Sequence, residues 1–141
     1  MAVGIAGTGS IGCACAAWLA HGGHRVTVWS PGGQGAEALR GAPLRATGVL
    51  EAEVEVAVAA SAAELVHAAE VIVIALPVNG HRGVMDRLLP ALQNEQTVIV
   101  SSMASLSSLY LHEAARRAGK QVTVASFGTT VLTARRAASC R

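Results

Sequence analysis

Three glycines at positions 7, 9 and 12, set between the apolar run "VGIA" and the small-residue run "SIGCACAAWLAHGG", constrain this chain more than any other feature. An apolar run that ends in G-x-G-x-x-G and continues at helical spacing reads as strand, tight turn and helix. Each glycine then has its own task. Gly7 permits the turn, Gly9 lets a pyrophosphate reach the backbone, and Gly12 lets the helix lie close on the strand. The phosphates rest on the helix N-terminus, where free N–H groups and the macrodipole favour negative charge. The cofactor contacts expected from this loop are Gly7, Thr8, Gly9, Ser10, Ile11 and Gly12. The helix is expected to carry Ile11, Cys15, Trp18 and Leu19 at helical spacing and to stop at Gly22-Gly23.

The same alternation continues along the chain. "HRVTVWS" at 24–30 is a β-branched strand closed by the turn residues "PGG", and "VEVAV" at 54–58 reads as a third strand after a possible short helix at "AEALR". Ser61 opens "SAAE", a capping box that predicts a helix to about Ala69. "EVIVIALP" at 70–77 is apolar throughout, as a parallel strand covered on both faces requires. A helix over about 80–92 with Val84, Leu88 and Leu92 on one face follows, then the strand "QTVIVSS", the helix "SLSSLYLHEAARRAG" and the strand "QVTVAS". Six strands alternating with helices predict an α/β fold: a doubly wound, mainly parallel Rossmann sheet in a single three-layer domain over residues 1–136.

Two strand ends carry the remaining candidates. The second strand ends at Trp29-Ser30, where NAD-preferring domains usually place an acidic residue for the ribose hydroxyls. Ser30 repels no 2′-phosphate and can donate a hydrogen bond to one, so the cofactor is expected to be NADP or NAD, with NADP favoured. Arg40 is the basic residue of the following segment that can assist. The fourth strand ends in "ALPVNGH", which puts Leu76 and Pro77 beside the cofactor and His81 within reach of a substrate. Trp18 and Trp29 are expected to flank the site. The remaining histidines, at 21, 24, 67 and 112, share no spacing and read as surface residues, and no metal site or catalytic residue is assigned.

Composition closes off other classes. Of the 141 residues 52% are hydrophobic and 14% charged, which excludes a disordered, highly charged chain, and the formal charge of +2 has no basic block to address nucleic acid. The longest apolar run, "VIVIALPV", is strand-sized, so no membrane span is expected. With no signal-peptide core and with Cys13, Cys15 and Cys140 odd in number, a cytoplasmic protein with reduced cysteines is expected.

Taken together, "GIAGTGSIGCACAAWLAHGGHRVTVWS", "EVIVIALPVNGHRGVMDRLLPAL" and "FGTTVLTARR" resemble the N-terminal NAD(P)-binding domain of the octopine/nopaline (opine) dehydrogenase family. The first two parts are shared with ketopantoate reductases. In opine dehydrogenases a segment resembling "ETxTLPYxxR" follows the last strand of this domain; Thr130, Ala134 and Arg136 fit it here, while its Glu, Pro and Tyr are replaced. The resemblance implies reductive joining of a 2-oxo acid to an amino acid, with Thr130 beside His81 on the substrate side. It also implies that the acid/base His and its Asp partner belong to a C-terminal helical domain, supplied by another chain or through a homodimer. Residues 137–141, "AASCR", read as a tail or the truncated start of that domain. A ketopantoate reductase-like 2-oxo acid reductase fragment and a non-enzymatic dinucleotide-sensing module are the alternative readings.

Overall fold

The computed structural model describes residues 1–102 and 106–135. Six parallel strands form the central sheet: β1 (Ala2–Ala6), β2 (Arg25–Trp29), β5 (Ala57–Val58), β6 (Val71–Ile74), β7 (Thr97–Val100) and β8 (Thr123–Ser126). Their order is β5-β2-β1-β6-β7-β8, so the direction of winding reverses between β1 and β6. That reversal opens a crevice at the carboxyl ends of these two strands, where open α/β sheets bind ligands.

Residue alternation makes the layers. Ile72 and Ile74 of β6 face Leu65 and Val66 of α3 (Ala62–His67) and Met85 and Leu88 of α4 (Val78–Leu88), joined by Leu111 of α5 (Ser107–Arg117). Val73 and Ala75 face the other way, toward Ile5, Cys15 and Ala16, the last two on α1 (Ser10–His21). Burial of Cys15 pushes its thiol pKa up, as suits a packing residue. On the α4 and α5 side, the Tyr110 hydroxyl donates to Asp86 while the Arg82 guanidinium lies 5.5 Å from the Tyr110 ring centre. These contacts tie the two helices together at the surface.

The sequence-based elements stand with four revisions. "VEVAV" is not one strand. Ala52–Val54 forms β4, which pairs antiparallel with β3 (Leu44–Ala46), and the Arg45–Glu53 ion pair at 2.8 Å lies across this ribbon. Only Ala57 and Val58 pair with β2, as the edge of the main sheet. The short helix α2 spans Gln34–Glu37, slightly ahead of "AEALR". Helix α4 starts at Val78 behind Pro77 and gives way to a 3-10 turn at Leu89–Ala91, because Pro90 cannot continue α-helical hydrogen bonding. Trp18 points outward and is 51% exposed, whereas Trp29 is 6% exposed.

The Ser half of the predicted capping box is present, with Glu64 N–H donating to Ser61 Oγ at 3.1 Å, while the Glu64 carboxylate reaches one residue further back and accepts from Ala60 N–H at 2.7 Å. The opposite end of α3 is closed by a residue from elsewhere. Buried Gln96 donates through Nε2 to the carbonyls of Val66 and Ala69, at 2.8 and 2.7 Å, and accepts from Gln93 N–H at 2.8 Å. Replacement Gln96→Ala removes both of these bonds, leaving Val66 O only its bond from Ala69 N–H, and is expected to cost about 2 kcal/mol. Urea unfolding tests this through a lower midpoint at unchanged slope.

Candidate functional site

The glycine loop shows why its three glycines differ. Gly7 has φ of 123°, a conformation open to glycine, and a Cβ there would also strike the Ala75 carbonyl. Its N–H donates to the Trp29 carbonyl at 2.8 Å, which ties the loop to the end of β2. A Cβ at Gly12 would overlap the Gly7 carbonyl oxygen, so α1 sits directly on the loop. Gly9 is unlike both: its φ of −73° suits any residue, and a Cβ there meets nothing within 4 Å. The fold needs glycine at 7 and 12, and the clearance at 9 serves whatever approaches from outside. Gly9 is also the N-cap of α1, whose first turn has no acidic residue to compete with an anion.

Two cavities lie at the carboxyl ends of the strands, and the second is lined in part by this loop. The first, about 670 Å³, lies beyond β2 and is lined by Trp29, Ser30, Gly33, Glu37, Arg40 and Arg87, among others. Ser30 Oγ is buried there with no hydrogen-bond partner. Such a hydroxyl is able to donate to a partner that reaches it. Thr8 is buried below α2, where a Cβ on Gly35 would overlap the Thr8 Oγ1. Gly35 is thus a close-approach glycine that sequence reasoning missed, although "GGQG" is visibly glycine-rich.

The second cavity, about 400 Å³, brings together Gly9, Ser10 and Ile11, the β6 tip at Leu76 and Pro77, His81, and Thr130. Ser101 and Ser102 also line it. His81 is 2% exposed and both ring nitrogens are engaged: Nδ1 with Ser107 Oγ at 2.8 Å, Nε2 with the Leu76 carbonyl at 2.9 Å. A carbonyl only accepts, so Nε2 carries the proton. His81 therefore forms part of the wall and fastens the Leu76-Pro77 turn to the start of α5. Arg136 and Cys140, and the tail at 137–141, lie outside the described residues.

The residues present fit a dinucleotide. An open cradle at Gly9 borders the more apolar second cavity, and the first, with charged residues in its lining, lies at the end of β2, as nicotinamide and adenosine ends require. Among the described residues no cluster of His, Cys, Asp or Glu is arranged to hold a metal ion, and no helix is long and apolar enough to cross a membrane.

Residues 3–138 match the sequence family described as ketopantoate reductase PanE/ApbA. The chain belongs to this family. No curated protein matches it significantly. Among solved structures, an octopine dehydrogenase with NADH and pyruvate superimposes with a TM-score of 0.83 at 16% identity, over 96% of this chain and 37% of that one. A PanE/ApbA family ketopantoate reductase from Ralstonia eutropha JMP134 gives a TM-score of 0.72 at 23% identity, over 89% and 40%. A yersinopine dehydrogenase with NADP+ bound gives 0.71 at 20%, over 92% and 35%. The chain thus spans well under half the length of these enzymes. It shares the Rossmann fold of these ketopantoate reductase and opine dehydrogenase structures.

The loop geometry separates fold from binding. Gly9→Ala is expected to leave unfolding stability within about 0.5 kcal/mol yet to weaken NADPH binding about tenfold or more. Gly12→Ala is expected to cost about 3 kcal/mol through backbone overlap. Paired denaturation and cofactor titrations check both. His81→Ala is expected to lose about 2 kcal/mol by removing the donor to the Leu76 carbonyl and the tie to Ser107, and in the parent protein the His81 Nε2 proton is expected as a slowly exchanging NMR resonance at neutral pH.

Proposed function

We propose that residues 1–136 are the cofactor-holding domain of an NAD(P)H-dependent reductase that acts at C2 of a 2-oxo acid. The observation that carries this reading is the arrangement around Gly9, with the orphaned Ser30 hydroxyl on one side and the Leu76, Pro77, His81 and Thr130 cavity on the other. Bound cofactor would supply the hydride. The chain's own residues would hold the pyrophosphate on the Gly7–Gly12 loop, bind the adenosine end beside Ser30, and present the nicotinamide end to Leu76 and Pro77. Ser30 in place of a carboxylate favours NADP over NAD.

Within this chemistry the opine type is the preferred reading: the 2-oxo acid first condenses with an amino acid, and the resulting imine is reduced. The extent of the overlap with octopine dehydrogenase supports it, as does the seating of Thr130 on the second cavity. Direct reduction of a 2-oxo acid, the ketopantoate reductase type, is supported by the family match itself. Either reaction needs a proton donor beside the nicotinamide. The described lining of the second cavity holds no carboxylate or lysine, and the ring nitrogens of its one histidine are already bonded. In this reading the acid is supplied by a helical domain outside residues 1–136.

Titration with NADPH and NADH, followed through Trp29 emission, is expected to saturate with both and more tightly with NADPH. NADPH oxidation in the presence of a 2-oxo acid and an amino acid is expected only after a helical domain of the family is added. Failure of both cofactors to bind overturns the reading, and binding without turnover by any completed protein would instead mark a dinucleotide-sensing module.

A further inference from the structure

We propose that Arg87, on α4, is a ligand of the cofactor's adenosine 2′-phosphate and sets the preference for NADP over NAD. The inference rests on the reading above, in which the adenosine end occupies the cavity beyond β2. Two cations line that cavity, Arg40 and Arg87, and one carboxylate, Glu37. Arg40 Nε is engaged by Glu37 Oε1 at 2.9 Å, so the Arg40 and Glu37 charges offset each other. Among the described residues no ion pair involves Arg87. Its Nη1 donates to the Pro31 carbonyl at 3.2 Å, across 56 positions of sequence.

That bond places the guanidinium next to the Ser30-Pro31 turn, one residue from the buried and unpartnered Ser30 hydroxyl. A phosphate at this point would accept from the remaining N–H groups of Arg87, and from Ser30 Oγ after that side chain rotates toward the cavity. A planar fork of donors suits phosphate oxygens, and such charge-assisted bonds are about twice as strong as neutral ones. A ribose 2′-hydroxyl offers Arg87 no charge to pair with. NADP therefore gains from Arg87 what NAD does not. Glycines at 32 and 33 leave the turn above the cavity without side chains, and a Cβ on either would meet nothing within 4 Å, which is the room the extra phosphate needs.

The test compares Arg87→Gln with the parent chain by Trp29 emission, titrating NADPH, NADH and adenosine 2′,5′-bisphosphate separately, with thermal melting as the check on folding. NADPH and the bisphosphate are expected to bind about tenfold or more weakly, and NADH within about twofold of the parent. Arg87→Lys keeps the charge and loses the fork, and is expected to show the same selectivity at about threefold. If Arg87→Gln melts early, the lysine variant decides. Equal weakening of NADPH and NADH, or unchanged NADPH binding, overturns the role of Arg87. A parent chain that binds neither dinucleotide overturns the cofactor reading itself, a result visible before any variant is made.

Discussion

The contact on which the rest of this structure depends is the seating of α1 against the carbonyl of Gly7. Helix and loop approach so closely that a single methyl group at position 12 has no room. This approach brings the N-terminus of α1 to the switch point between β1 and β6, and the helix dipole then faces the crevice where a ligand enters. The hydrogen bond from Gly7 to Trp29 carries the same constraint to the end of β2, so the glycine loop is tied to the edge of the cavity beyond β2.

Around that piece the polar groups divide by purpose. Gln96, Glu64 and His81 are satisfied by the protein and hold helix ends and turns in place. Ser30 Oγ is buried without a partner, and Arg87 lies beside it with one exposed bond to a carbonyl. Groups of the first kind stabilise the domain. Those of the second kind keep donor capacity that the protein does not use, and they sit together at the end of β2.

Much of the architecture was legible because it is written in local patterns. Five of the six main strands, the helix start at Ser61 and the glycine loop follow from apolar periodicity and from residues with special backbone freedom, both of which act over a few positions. The reading of 54–58 as one strand failed for a different reason: alternation does not say which partner a strand will find, and an opposite charge at Arg45 faces Glu53 in a separate ribbon. Trp18 was misplaced because helical spacing identifies a face without saying how wide the covered part is. At the site, the loop residues, Ser30, Leu76, Pro77, His81 and Thr130 were all singled out from sequence, yet His81 proved to be buried with both nitrogens engaged.

The sequence by itself determined a parallel α/β sheet with a phosphate loop after its first strand, because glycine placement and hydrophobic period are properties of neighbouring residues. Tertiary structure decided which distant groups share a cavity. Arg87 reaches Pro31 across 56 positions, Gly35 settles over Thr8, and Thr130 meets the β6 tip. Those meetings depend on how helices of fixed length cross a twisted sheet, and no local pattern encodes where a side chain on one element will end relative to a turn on another.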